Sequence, residues 1–138
     1  MLLVVGGVIA AITACGGAEP QDADFVAGRT VFRGCAACHG TQGEGGAGPP
    51  LTGVLETFPS CDDHVRWITL GSQRWVDEVG PSYGTQGKPV EGAMPSHEDT
   101  LLETELRQIA MYERVRFGES DIGTEKTACG LGSGAGGG

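Results

Sequence analysis

Apolar residues recur at helical spacing in three stretches of the chain, and no stretch shows the strict alternation of a strand. The predicted helices cover residues 24–34, 60–71 and 101–117, and a glycine ends each of them. Asp22 or Asp24 can cap the first helix. The pattern therefore predicts an all-α fold with three main helices.

Two long stretches between these helices have no periodicity. Residues 40–54 are rich in glycine and proline, and residues 72–95 form a second predicted loop of more than 20 residues, a length that is usually functional. The chain has 25 glycines and few aromatic residues, which is poor material for a large side-chain core. We therefore expect something other than side chains to fill the centre of the domain.

The length and charge of the chain narrow the class of protein. A chain of 138 residues has room for one domain. It carries 9 Lys and Arg against 18 Asp and Glu, a net charge of −9. This acidity argues against binding to nucleic acid and favours a partner protein with a basic surface.

The N-terminus has the composition of an export signal. Residues 1–14 are uncharged and mostly apolar, too few for a membrane span of about 20 residues. They end in a sequence that resembles a bacterial lipobox, with Cys15 as the lipidated residue and residues 15–23 as a tether. The first basic residue is only Arg29, so a transmembrane anchor whose beginning is missing stays open. Both alternatives predict a membrane-attached domain outside the cytoplasm.

The sequence CAACH at residues 35–39 is the main chemical motif. Its Cys35, Cys38 and His39 are compatible with a redox dithiol, part of a zinc site or a covalently attached haem. A dithiol oxidoreductase needs a βαβ unit, and this chain has no strand pattern. A zinc site needs a fourth ligand, and no second close pair exists among the remaining candidates. Those candidates are Cys61, His64, His97 and Cys129.

The order of helices, CxxCH, a GPPL loop, a long loop with Met-Pro and a last helix resembles class I cytochrome c over residues 24–118. The resemblance extends to the haem-bearing subunit III of cbb3-type oxidases, here as a lipoprotein. It implies a cytochrome c fold around one haem c, bound covalently through Cys35 and Cys38, with His39 as the proximal iron ligand. It further implies that the Pro49 carbonyl orients His39 and that Leu51 contacts the haem.

The resemblance assigns the second axial ligand to Met94. His97 is the alternative, which would give a bis-histidine haem. Trp75 is expected to donate a hydrogen bond to a haem propionate. The family's close contact between the first and last helices corresponds to Gly28 and Tyr112. In the last helix the usual capping position holds Leu102, so Thr100 is predicted to cap one turn earlier; Met111, inside that helix, is expected to fill the core.

The remaining polar residues receive simpler assignments. Cys61 and Cys129 can form a disulfide in an oxidising compartment, or stay unpaired, or bond another chain. His64 is expected to be solvated on a polar helix face. Residues 119–138 are predicted to be a flexible, glycine-rich tail.

A haem with two protein ligands leaves no open position for a substrate, so the resemblance implies an electron carrier and not an enzyme. Its expected partners are a quinol-oxidising complex and a terminal oxidase of an extracytoplasmic respiratory chain. Two alternatives stay open at this point. One is a haem enzyme or gas sensor with a displaceable Met94, and the other is the haem subunit of a larger oxidoreductase.

Overall fold

A computed structural model describes residues 19–132 of the chain. The prediction of an all-α fold is confirmed, since the only strands in this range are two short ones. The helices are α1 Ala23–His39, α2 Val54–Thr57, α3 Cys61–Glu78, α4 Glu103–Arg116 and α5 Ile122–Ala128. Strands β1 Ser82–Tyr83 and β2 Lys88–Pro89 form an antiparallel hairpin.

The predicted signal segment 1–14 and the predicted lipidation residue Cys15 lie outside the described residues. Between residues 19 and 132, no helix has the length and apolar character needed to cross a bilayer.

The first and last predicted helices, α1 and α4, pack most closely at Gly28. A Cβ atom at Gly28 would lie 2.1 Å from the carbonyl oxygen of Gln108 and 2.8 Å from the Tyr112 Cβ. The Tyr112 ring packs against Phe25 and Phe32, with ring centroids 5.0 and 5.4 Å away. Glycine at position 28 therefore permits the contact between the two helices around which the core is built.

Helix α1 was predicted to end at Gly34, and this is wrong. It continues through the CAACH motif to His39. Asp22 caps its start, because its side chain accepts from the backbone N–H groups of Asp24 and Phe25. A glycine ends a helix when it adopts a positive φ. Gly40 does so with a φ of 79°, whereas Gly34 keeps helical geometry inside α1.

Helix α3 was predicted to end at Gly71, and this is wrong because it resumes after a kink and runs to Glu78. The kink lies at Gly71, where φ is 65° and ψ is −178°. A Cβ there would lie 2.5 Å from the Pro95 carbonyl. The kink therefore lets the chain around Pro95 approach the helix, and the long predicted loop begins only after Glu78.

Helix α4 begins two residues later than a Thr100 cap would require, so that prediction is wrong. Its N-cap is Leu102, which has no capping side chain. The Glu105 carboxylate instead accepts the Leu102 backbone N–H at 2.8 Å. Half of a capping box is thus sufficient to start the helix.

The segment after residue 118 is not wholly flexible, which corrects the predicted tail boundary. Within it, Asp121 caps α5 by accepting the Thr124 N–H at 2.9 Å. Cys61 and Cys129, the pair considered for a disulfide, are joined by one. This bond attaches the end of α5 to the start of α3 and extends the folded domain beyond residue 118.

Candidate functional site

A cavity of about 370 Å³ opens between the end of α1, the loop after it and the segment that follows the hairpin. The walls of the cavity are mostly apolar. The CAACH residues Cys35, Cys38 and His39 line it, and so does Met94. The lining includes Cys35, Cys38, His39, Leu51, Val54, Phe58, Trp67, Ile68, Met94 and Ile109. Such a mostly apolar cavity with few polar groups is typical of a cofactor site.

His39 is held by the loop predicted to orient it. Its Nδ1 lies 2.8 Å from the Pro49 carbonyl oxygen. Because a carbonyl only accepts, Nδ1 must carry the proton, and the Nε2 lone pair is left for a metal. Gly48 makes this contact possible, since a Cβ there would lie 2.9 Å from the ring atom Cε1 of His39.

Cys35 and Cys38 line the cavity and form no disulfide in the described structure. Burial raises the pKa of the Cys35 thiol to about 12, with smaller contributions from the charges of Glu113 and Cys38. The pair also lies near the C-terminal end of α1, where the helix dipole disfavours a thiolate. A dithiol oxidoreductase needs the opposite, a low-pKa thiolate, so this environment argues against that alternative.

The zinc alternative loses two of its candidate ligands to the Cys61–Cys129 disulfide. In the part of the chain that the structure describes, no three His, Cys, Asp or Glu side chains converge as a metal site. The two motif cysteines and His39 are thus arranged along one cavity wall without further thiolates.

Met94 is half-buried, lines the cavity and is fixed by two hydrogen bonds to Ser72, the residue after the kink in α3. The Met94 N–H donates to the Ser72 hydroxyl at 2.9 Å, and the Ser72 N–H donates to the Met94 carbonyl at 2.9 Å. His97, the alternative ligand, also lines the cavity. Burial lowers the pKa of His97, while the charge of Glu113 acts in the opposite direction.

Trp75 differs from its sequence assignment. It lies in α3, is 7% exposed and is not among the lining residues. Its indole N–H donates to the Ser82 carbonyl at 2.9 Å, and its ring packs edge-on against Trp67 with centroids 5.2 Å apart. The expected donation to a haem propionate is therefore corrected, because the only donor of this side chain is already bonded.

Lys88, which the sequence analysis missed, lies opposite Tyr83. They are cross-strand partners in the hairpin and both line the cavity. Among the described lining residues Lys88 is the only Lys or Arg, and its Nζ donates to the Thr57 hydroxyl at 2.8 Å. Burial, and next the charge of Glu91, raises the pKa of Tyr83. Strands of two residues carry no periodicity, so only the glycine-bounded turn between them could have indicated the hairpin.

His64 was expected to be solvated, and this is wrong. Its side chain is 2% exposed and lies beneath α4. Its Nε2 lies 3.0 Å from the Glu113 carboxylate, which lines the cavity. The hydrophobic spacing of α3 locates one apolar face but does not reveal that α4 also covers the neighbouring polar one. The sequence signal for this pair was therefore absent.

The residues around the cavity fit a covalently attached haem. Two thiols and an imidazole with a free Nε2 lie along one wall, while a thioether and an apolar lining complete the enclosure. The model of the family described as cytochrome c matches residues 25–112, and the comparison with curated proteins found no match. Members of that family carry electrons through haem c, usually one per domain. This chain therefore belongs to the cytochrome c family and binds haem c covalently.

Proposed function

We propose that this protein is a mono-haem cytochrome that carries single electrons in an extracytoplasmic respiratory chain, with His39 and Met94 as the axial iron ligands. One observation carries the proposal. The Pro49 carbonyl fixes the tautomer of His39, so that Nε2 is free in the same cavity that Met94 lines.

Each part of the site has a defined task in this proposal. Cys35 and Cys38 hold the haem by thioether bonds, and Leu51 with the other apolar lining residues excludes water from it. The bound haem supplies a one-electron couple between Fe(III) and Fe(II). Lys88, which lines the cavity, would supply a cation to a carboxylate group of the haem, the task first assigned to Trp75.

A carrier needs a sixth ligand that stays in place, and the reciprocal bonds between Met94 and Ser72 support this. A gas sensor or haem enzyme would instead need Met94 to leave. Moving the Met94 backbone away from the cavity would require breaking the contact between its segment and the kink at Gly71, where the two backbones lie too close for any side chain. The geometry therefore favours a carrier.

The test is the optical spectrum of the holoprotein and of two matched variants. The oxidised wild type should show the weak far-red band that is expected when sulfur ligates ferric haem, and the reduced form should bind carbon monoxide slowly. Met94→Leu should remove the band and speed carbon monoxide binding. Met111→Leu, a change at a fully buried core position of α4, should retain the band. A wild type without the band that binds carbon monoxide rapidly would overturn the proposed ligation.

The location and partners form a second part of the proposal. The sequence before the domain supports lipidation at Cys15, and the net charge of −9 supports docking to basic surfaces of a quinol-oxidising complex and a terminal oxidase. Electron transfer to a basic partner should slow as salt rises, because screening weakens long-range attraction. Mass spectrometry of the protein from native membranes should find a lipid on Cys15; an unmodified N-terminal segment would contradict the anchor.

A further inference from the structure

A buried pair of ionisable side chains lies beside the haem cavity and has no part in holding the haem. The Nε2 atom of His64 on α3 is 3.0 Å from the Oε2 atom of Glu113 on α4. The two side chains are only 2% and 6% exposed. Buried ionisable groups are costly, so a pair that serves packing alone would be replaced by apolar residues at little loss. Packing alone therefore does not explain why this pair is present.

The pair can bind a proton at the Nδ1 atom of His64. In the neutral form of His64, Nε2–H donates to Glu113 and Nδ1 is a bare acceptor. Nδ1 is buried and has no hydrogen-bond partner within the described residues. The Phe58 ring stacks on the imidazole, with centroids 5.1 Å apart and planes 5° apart, and shields one face. The pair carries a charge of −1 in this form and becomes neutral when it gains one proton.

The charge of the pair acts electrostatically on the haem site. Glu113 lines the cavity, and its carboxylate contributes to raising the pKa of Cys35, one of the two haem-attachment residues. Arg114, the next residue, does not neutralise Glu113, because it is bonded to the buried carboxylate of Glu125 and to the Phe58 and Pro59 carbonyls. Glu113 is thus a buried carboxyl group on the cavity wall, and among the described residues its ion-pair partner is His64.

The other ionisable groups near the pair come from every neighbouring element. Cys35 on α1 stays a neutral thiol, as its raised pKa requires, and is consumed when haem is attached. His97 lines the cavity from the loop before α4. Tyr83 and Lys88 line it from the hairpin, and Glu91 lines it from the segment after the hairpin. Helix α2 contributes only the exposed Glu56. Helix α5 contributes Glu125, which is already paired.

We propose that the His64–Glu113 pair takes up a proton when the protein accepts an electron and releases it when the electron leaves. The inference rests on the proposed electron-carrier function. The donor protein supplies the electron, and a hydronium ion of the solvent supplies the proton. One O–H bond of the hydronium ion breaks as one N–H or O–H bond forms on the pair, and a water molecule is left. Reduction removes one positive charge from the cavity, and the added proton restores the charge balance next to it. Electron transport is thereby coupled to proton uptake.

The first test is a redox titration of the holoprotein from acidic to alkaline pH. The wild-type midpoint potential should fall as pH rises, with a slope that approaches the one-proton limit of about 59 mV per pH unit. Glu113→Gln should abolish most of this slope, because the neutral amide no longer stabilises a protonated His64. It should also raise the potential at alkaline pH, where the carboxylate otherwise favours Fe(III).

Glu91→Gln is the matched control. Glu91 also lines the cavity but is exposed to solvent, so this variant should keep the wild-type slope. A wild-type potential that does not change with pH would overturn the proposal. A slope that persists in Glu113→Gln, or that is lost in Glu91→Gln, would overturn it equally.

A second test needs no variant. The wild type should take up protons when it is reduced in a weakly buffered solution, and an indicator dye measures this uptake. The uptake should occur over the pH range in which the midpoint potential falls. The ring nitrogens of ¹⁵N-labelled His64 should change shift with pH in the ferrous protein; ring shifts that do not titrate would contradict the assignment. The far-red band in the same samples reports Met94 ligation separately. A failure of proton coupling and a failure of the ligand assignment are therefore distinguishable.

Discussion

Removal of the disulfide between Cys61 and Cys129 is the sharpest test of how the C-terminal segment contributes to stability. The bond closes a loop between residues 68 positions apart. Both cysteines are buried, at 3% and 0% exposure, and belong to the hydrophobic core. The double variant Cys61→Ala/Cys129→Ala keeps small apolar side chains there and removes only the crosslink and two sulfur atoms.

The expected loss follows from the loop length. For a loop of this size, the chain-entropy expression gives a stabilisation of about 4 kcal/mol at room temperature. The disulfide ties α5 to α3, so α5 should be the first element to unfold when the bond is removed. Once α5 detaches, Glu125 leaves Arg114, and the buried ion pair between them is lost.

The assay is guanidinium unfolding of the oxidised holoprotein, followed both by helical circular dichroism and by haem absorption. The double variant should lose about 4 kcal/mol, and each single Ala variant should lose nearly as much, because either one removes the same crosslink. Hydrogen exchange should show faster exchange of α5 amides while α1 and α4 stay protected. A loss below about 1 kcal/mol, or single variants with much smaller losses than the double, would refute the crosslink account.

Three further predictions concern single positions. Gly28→Ala should lower the free energy of unfolding by at least about 1–3 kcal/mol, because its Cβ overlaps the α4 backbone. Arg33→Ala, at an exposed position of the same helix, should change it by no more than about 0.5 kcal/mol; equal effects in denaturant unfolding would contradict the packing account. Lys88→Gln should lower the midpoint potential, because losing this cavity-lining cation favours Fe(III), and Lys126→Gln in α5 should not; a potential unchanged in Lys88→Gln counts against a propionate contact. Asp22→Ala should cost about 1 kcal/mol at neutral pH. A hydrogen bond from Lys126 is the main cause of the lowered pKa of Asp22, so its contribution is complete above the ordinary carboxyl pKa and is lost as pH falls through the lowered value. The difference between wild type and Asp22→Ala in thermal unfolding should shrink in acid, and a constant difference would refute this.

Helix ends were the least predictable part of the fold. Gly34, Gly71 and Gly40 are the same residue type, yet only the last ends its helix. The choice depends on whether the chain after each glycine packs back on the helix. At Gly71 the packing partner is Pro95, 24 positions later, and no local pattern contains that contact.

The sequence by itself determined the chemistry of one cavity wall. Cys35, Cys38 and His39 are adjacent in the chain, so their helix brings them together whatever the rest of the fold does. The motif spacing, the Gly-Pro sequence after it and the isolated Met-Pro of the long loop were sufficient for the resemblance to cytochrome c, which the family match over residues 25–112 confirms.

Only the tertiary structure decided the opposite wall and the charges behind it. Trp75 bonds Ser82 and does not line the cavity, Lys88 does line it, and Glu113 on α4 pairs with His64 on α3. Each of these outcomes depends on contacts between residues far apart in sequence. Local periodicity reports which residues prefer burial, whereas the partner that satisfies a buried polar group is fixed only when helices pack.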